Sequence, residues 1–407
     1  MRALNGDRPS IPRALSPSIM HGQGHRQYAA GLDTVRTGFS NLITLSLWNE
    51  ATGENLTSDE LYQVLEQVIP PHEGSAAVKN QMAHLQQYVI MSKDPNKSRN
   101  LQKRMQECPQ SERNMIFNAL SPYLNELVYD QSANFVIQKL CEGATPEQQK
   151  IMLDFFLTDI NNIVDHSIAC RVLQRFIECS TEMKNVDTLF KALLPNLMSL
   201  CFSQNGNHIV QRFVVALPDR LNTIIESILP NVIPLAIDNC GCRIVQRLFE
   251  QYKINQLSLI VNEVMKHSVD LATNQYGNYV VQYILSSGQT EYVSALLKSF
   301  KGKFYSFSIH KFASNVIEKC IRGASDQERE DIFDEIIGTS GNFNHPRILS
   351  MVEDQFGNYV IQRIIEFGTP EQQTAVFEVV YDNYDRLYSL QYARHVLQRL
   401  QHLGFEF

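Results

Sequence analysis

The sequence predicts an all-α solenoid. Three observations carry that prediction: a string that returns at a near-constant interval, an apolar stripe at helical spacing inside each copy, and helix punctuation between copies. The string is clearest as NQYGNYVVQY (274–283), DQFGNYVIQR (354–363) and SQNGNHIVQR (203–212). Looser copies are DQSANFVIQK (130–139), DNCGCRIVQR (238–247), DHSIACRVLQR (165–175) and HKFASNVIEK (310–319). We take the residue after the small Gly or Ala as position one. The anchors are then Asn134, Cys170, Asn207, Cys242, Asn278, Ser314 and Asn358, with Ser98 and Arg394 extending the series at its ends. Successive anchors lie 36, 36, 37, 35, 36, 36, 44 and 36 residues apart. A fixed period of roughly 20–50 residues marks a repeat array.

Each element of a unit can be read from the stretch between anchors. In 146–177, Pro146 opens a helix, EQQKIMLDFFLTDI carries apolar residues at helical spacing, and a short polar break leads into ACRVLQRFI. Proline in a first turn and Asp or Asn near a break are helix punctuation. Hairpin turns and period-two alternation are lacking, so each unit is expected to be a helical hairpin of about 36 residues. The spacing of 44 before Asn358 reflects extra residues around GTSGNFNHPR (338–347), expected as a loop.

The anchor segment has two faces. At about 100° per residue, positions three, four and seven share one arc, and positions one, two, five and six lie opposite. The first set is apolar in eight of nine copies, from Val136, Ile137 and Leu140 to Val396, Leu397 and Leu400, and reads as core. The exception is the first copy, with Asn100, Leu101 and Arg104, as expected of an atypical terminal repeat. On the opposite face, position five is Gln in eight copies and Glu318 in the ninth. Position six is Lys or Arg in eight, with Tyr283 the exception. A merely solvated surface would mix charges without positional memory.

Those residue types suit base recognition. A side-chain amide presents a donor and an acceptor together, matching the edge of an unpaired base. Flat position-two side chains (Arg99, Phe135, Arg171, His208, Arg243, Tyr279, Asn315, Tyr359 and His395) can stack on base rings. Lys139, Arg175, Arg212, Arg247, Lys319 and Arg363 at position six can meet phosphates. Duplexes hide base edges, so the expected ligand is single-stranded RNA, one base per repeat.

The strings GNYVVQ, ASNVIEKC and CRVLQR resemble the RNA-binding repeats of the PUF (Pumilio) family over roughly residues 75–407. The resemblance implies a right-handed, crescent-shaped α-solenoid of eight repeats with flanking capping half-repeats. Its concave face would bind RNA antiparallel, the last repeat meeting the 5′ base. It also implies that positions one and five choose the base. Asn358 with Gln362 implies U, Ser314 with Glu318 implies G, Asn278 with Gln282 implies U, and Cys242 with Gln246 implies A. Asn207 with Gln211, Cys170 with Gln174, Asn134 with Gln138, and Ser98 with Gln102 imply U, A, U and A, for a site close to 5′-UGUAUAUA-3′. Arg394 with Gln398 fits no base, and this ninth copy is expected to be a cap. The family role implied is post-transcriptional regulation of mRNAs through 3′ untranslated regions in the cytoplasm. The chain would act as a monomer, recruiting deadenylases, translational repressors or Nanos-like factors, with the 338–347 loop a candidate docking element. A PUF-like ribosome-biogenesis factor or a protein-binding solenoid is the alternative, and eight successive pairs that fit the base scheme argue against it.

Other chemistry finds little support. Cys240-Gly241-Cys242 lacks a second Cys/His pair at zinc spacing, so no metal or cofactor is expected. No HExxH, GxxxxGK[ST] or GxSxG occurs, and His310 near Glu318 has no nucleophile or metal beside it, which points to binding and not turnover. With no apolar run of about 18 residues, no membrane span is expected. Eight cysteines without framework spacing suit a reducing compartment. Residues 1–57 are expected to be irregular or disordered, and 58–407 to form the repeat domain, opening with a capped helix at 58–70.

The formal net charge of −7 alone would argue against a nucleic-acid ligand. Its distribution argues the other way. The nine eight-residue windows from the anchors hold 13 Lys+Arg and one acid, Glu318, a local +12 that leaves −19 for the rest of the chain.

Overall fold

The structure, a computed structural model, describes residues 86–407, together with a strand pair in which Trp48 lies opposite Asn55 and Asn49 opposite Glu54. That pair falls in the segment expected to be irregular; the rest of 1–57 and the expected helix at 58–70 lie outside the described residues.

Among the described residues, each unit from the second copy on has three helices where a hairpin was expected. In the unit read above, Thr145 caps the helix Pro146–Thr158 through a reciprocal bond with Gln148, and Pro146 occupies the first turn. Asp159 then breaks the chain direction, and Ile160–Asp165 forms a short second helix before Ala169–Cys179. The supposed polar break is helical because Ile160, Ile163 and Val164 share one face and bury it. In three other units a proline-containing 3-10 turn joins first and second helices, at Ser121–Tyr123, Leu194–Asn196 and Leu229–Asn231.

The anchor segments form the third helices: α1 (Pro95–Glu107), α2 (Ala133–Cys141), α3 (Ala169–Cys179), α4 (Gly206–Ala216), α5 (Gly241–Gln251), α6 (Gly277–Leu285), α7 (Ala313–Gly323), α8 (Gly357–Phe367) and α9 (Ala393–His402). Each packs against the next, so they make one continuous layer. The predicted apolar stripe is buried in α2 to α9 and belongs to a single core running from Tyr88 to Leu400. Position eight is buried as well in most copies, for example Cys141, Ile177 and Ile321. That explains the first copy: Met105, at position eight, supplies the buried side chain that Arg104 does not.

Packing between the second and third helices of a unit sets the small residue before position one. A Cβ on Gly241 would lie 2.8 Å from the Leu235 carbonyl oxygen and 2.9 Å from its Cα, closer than real contacts allow. Gly206, Gly277 and Gly357 meet the residue six positions before them in the same way.

The segment at 338–347 is a tight β-hairpin where a loop was expected, with Gly338–Thr339 paired antiparallel to Asn342–Phe343. Gly338 and Gly341 take positive φ values of 93° and 74°, which a residue with a Cβ resists. The Glu371 carboxylate of the following unit accepts from the Ser340 hydroxyl and the Gly341 N–H. Arg347 lies 4.7 Å from the centre of the Tyr305 ring and donates to the Glu335 carbonyl. At the far end, Phe405 stacks on Phe377 and Phe407 on Tyr384, covering the apolar side of the last unit.

Candidate nucleic-acid interface

The turn before each of the first eight anchors is built alike. The residue four before the anchor accepts two backbone N–H groups: Asp130 Oδ1 from Ser132 and Ala133, Ser203 Oγ from Asn205 and Gly206, Asp238 Oδ1 from Cys240 and Gly241. Asp94, Asn274 and Asp354 repeat the pattern, and His166 and His310 do so with the ring Nδ1. Satisfying otherwise orphaned donors at a helix start fixes where position one begins. Sequence reasoning missed these residues, although Asp, Asn, Ser or His stands at that place in every copy but the ninth.

Position one, expected on the open face, is recessed into it. Ser98, Asn134, Cys170, Asn207, Cys242, Asn278, Ser314 and Asn358 are all buried. The helical angle was right, but position one lies in the first turn, beneath the capping turn that precedes it. Asn278 Nδ2 donates to the carbonyls of Asn274 (2.8 Å) and Gln275 (3.0 Å), and Asn134 and Asn207 do the same in their units. Asn358 donates to the Asp354 carbonyl. Its amide thus oriented, each Asn accepts at Oδ1 from position five: Gln138, Gln211 and Gln282 at 2.9 Å, Gln362 at 3.2 Å.

This arrangement turns the Gln carbonyl and its second N–H outward from an Asn-backed site. The cysteine repeats differ. Gln174 Nε2 lies 3.7 Å from Cys170 Sγ, while Gln246 is buried and its Oε1 accepts from Arg243. Burial pushes the Cys170 and Cys242 thiols up, so both are neutral near pH 7. Gln102 and Glu318 are half-buried at position five of their helices, and Gln398 of α9 is exposed.

Position two points outward in every copy. Phe135, Tyr279 and Tyr359 are 47%, 52% and 48% exposed, large values for aromatic rings with no core to cover. Arg99, Arg171, His208, Arg243, Asn315 and His395 are exposed too. Burial, then the nearby cations Arg212 and Arg171, push the His208 imidazole down, favouring its neutral form. Between α3 and α4, an open groove of about 530 Å³ is lined by residues that include Cys170, Arg171, Gln174, His208 and Arg212, so predicted positions of adjacent repeats share one surface.

Position six is more neutralised than the sequence suggested, because the eight-residue windows stopped one position short of a row of glutamates. Lys139 pairs with Glu142, and Arg175 with Glu178 at 2.9 Å and Glu142 at 4.0 Å. Arg212 reaches back to Glu178 at 2.7 Å, and Arg247 meets Glu250 at 2.9 Å. Tyr283, the exception at position six, donates to Glu250 and stacks on Phe249. Burial and that carboxylate push the Tyr283 phenol up to about 12. Arg363 bridges Glu366 and Glu318. Of the six cations expected on phosphates, Lys319 is the one with no ion pair among the described residues.

The repeat family described as "Pumilio-family RNA binding repeat" matches at 87–121, 123–154, 166–194, 196–229, 231–265, 267–299, 303–337 and 347–380, one match around each of the first eight anchors. The ninth anchor lies outside those matches. Pumilio homolog 12 of Arabidopsis thaliana is 28% identical over 76% of this chain and 52% of its own length. A Pumilio domain-containing protein of Schizosaccharomyces pombe is 27% identical over 76% of this chain and 45% of its own length. The chain thus spans about half the length of these relatives. Among solved structures, the Puf3 RNA binding domain bound to the Cox17 RNA 3′ UTR recognition sequence, site B, superposes with a TM-score of 0.69 at 28% identity, over 77% of this chain and 94% of that one. PUF-8 in complex with PBE-RNA gives 0.69 at 26% identity, over 80% and 95%. Repeat matches over most of the chain, together with the α-solenoid of third helices, show that this chain belongs to the Pumilio (PUF) family.

Proposed function

We propose that the array binds single-stranded RNA at 3′ UTR elements resembling 5′-UGUAUAUA-3′, antiparallel and one base per repeat, and so regulates target mRNAs after transcription. One observation carries the reading: in successive third helices a polar position-five side chain stands one turn after a buried position-one residue, with a flat side chain exposed beside it. Where Asn backs Gln, the outward carbonyl suits the N3–H of uracil. Where Cys replaces Asn, that tether is absent: Gln174 has only the weak acceptor Cys170 Sγ behind it, and Gln246 exchanges its bond with Arg243 for the adenine edge. Glu318 offers two acceptors to the paired N–H donors of guanine. The RNA complexes of Puf3 and PUF-8 support the ligand class.

The reading is one of binding without turnover, in the cytoplasm, with repression or decay supplied by recruited proteins such as deadenylases. The hairpin at 338–343 is the element we assign to partner docking. The direct test is the double variant S314N/E318Q, which copies the pair found at Asn278 and Gln282. Preference at the second base should move from G to U, and an unchanged preference for G would sink the base assignment.

A further inference from the structure

We propose that Arg363 is a positioning residue for Glu318, the reader of the second base, and does not serve chiefly as a phosphate contact. The inference rests on the reading that Ser314 and Glu318 meet guanine. Glu318 is the one carboxylate at position five, and it lacks the tether that the Asn repeats provide. Its orientation comes from the next repeat, where Arg363 Nε donates to Glu318 Oε2 at 3.1 Å. Both side chains are largely shielded, 18% and 22% exposed, so this charge-assisted bond is strong. Arg363 is held from behind in turn. Its Nη1 binds Glu366, and Glu366 lies 3.4 Å from Arg399 of α9.

The internal comparison shows why this repeat is built differently. In α3 and α4, Arg175 and Arg212 reach back to the position-nine glutamate of the preceding repeat, Glu142 and Glu178. In α7, position nine is Arg322, so no acid waits there. Arg363 reaches instead to the acid at position five. An oxygen that accepts from Arg363 still has a second lone pair for a base N–H, and Oε1 is free. Held in this orientation, the carboxylate oxygens accept from the N1–H and N2–H of guanine and face the N1 lone pair of adenine unfavourably. Arg363 should therefore act on discrimination at one base and not on affinity in general.

The test is competition binding of R363M, R363K and E366Q against oligomers that differ only at the second base (G or A) or only at the third (U or A). R363M should cut the G-over-A ratio by about tenfold, the scale of one lost charge-assisted bond, with the third-base ratio unchanged. R363K, which keeps the charge without the fork, should recover part of the ratio. E366Q, which removes the backing and leaves Glu318 intact, should lower it more mildly. A uniform loss of affinity with both ratios intact and a shallower salt dependence would make Arg363 a phosphate contact and overturn the proposal. Unchanged ratios in both R363M and E366Q would overturn it equally. If the unaltered protein shows no preference for G at that base, the reading of Ser314 and Glu318 fails first, and the inference with it.

Discussion

Replacing Asn278 and Gln282 one at a time separates the two halves of a base-reading pair. Asn278 is buried and makes three side-chain bonds: Nδ2 to the Asn274 and Gln275 carbonyls, and Oδ1 from Gln282. In N278A the Gln275 carbonyl loses that donor, while the Asn274 carbonyl keeps the Asn278 backbone N–H at 3.2 Å. Each bond lost is worth about 0.5–1.5 kcal/mol net, and Gln275 is exposed enough for water to reach its carbonyl, so we expect a local loss of about 1–2 kcal/mol. Gln282 is half-buried and beside open space, so water can replace it, and Q282A should cost less than about 1 kcal/mol. Both variants should lose selectivity for U at the third base, because N278A frees the Gln282 amide to rotate. Amide hydrogen exchange at 274–279 reads the first effect, and competition between UGUAUAUA and UGAAUAUA reads the second. Protection in N278A equal to the unaltered protein would refute the reasoning, as would Q282A opening that turn as much as N278A does.

Further expectations follow from packing and charge. Neutralising the position-nine row with E142Q, E178Q, E250Q and E366Q together should steepen the salt dependence of RNA binding, since freed cations can displace more counterions. The unaltered protein should stay well short of the slope of about −4 that six free phosphate contacts would give, and filter binding from low to moderate salt would show it. G241A forces a Cβ to 2.8 Å from the Leu235 carbonyl and should destabilise its unit by about 1–3 kcal/mol, whereas A133S should cost less; thermal melts compare them. Asp187 is bound by Arg220 in the next unit, which with Lys191 lowers its carboxyl from 3.8 to about 2. A depressed carboxyl stabilises the fold above its ordinary value and loses that contribution as pH falls towards about 2. D187N should thus melt below the unaltered protein at pH 7 and together with it near pH 2.

Much of this was legible in the sequence because repetition averages out local ambiguity. One copy of NYVVQY could be a strand or a helix; nine copies in phase settle the period and the buried stripe. Three things were hidden, for physical reasons. The short second helix was missed because Ile160-Asn-Asn-Ile-Val-Asp looks polar until its three apolar residues are placed on one face. Burial of position one depends on where the capping turn crosses the helix, which a helical wheel does not contain. The ion-pair row was missed because Lys139, Arg175 and Arg247 pair with residues three further on, just outside the repeated string. The hairpin at 338–343 escaped because Gly338 and Gly341 read as loop markers, while its partner Glu371 is some 30 residues away.

The central claim is that successive position-one and position-five pairs read bases in order. Fluorescence-anisotropy competition between UGUAUAUA and a scrambled oligomer of the same composition tests it most directly. The account predicts binding tighter by at least two orders of magnitude for the ordered sequence, given about 1–3 kcal/mol for each well-matched bidentate contact. Equal affinity for the two oligomers would contradict it.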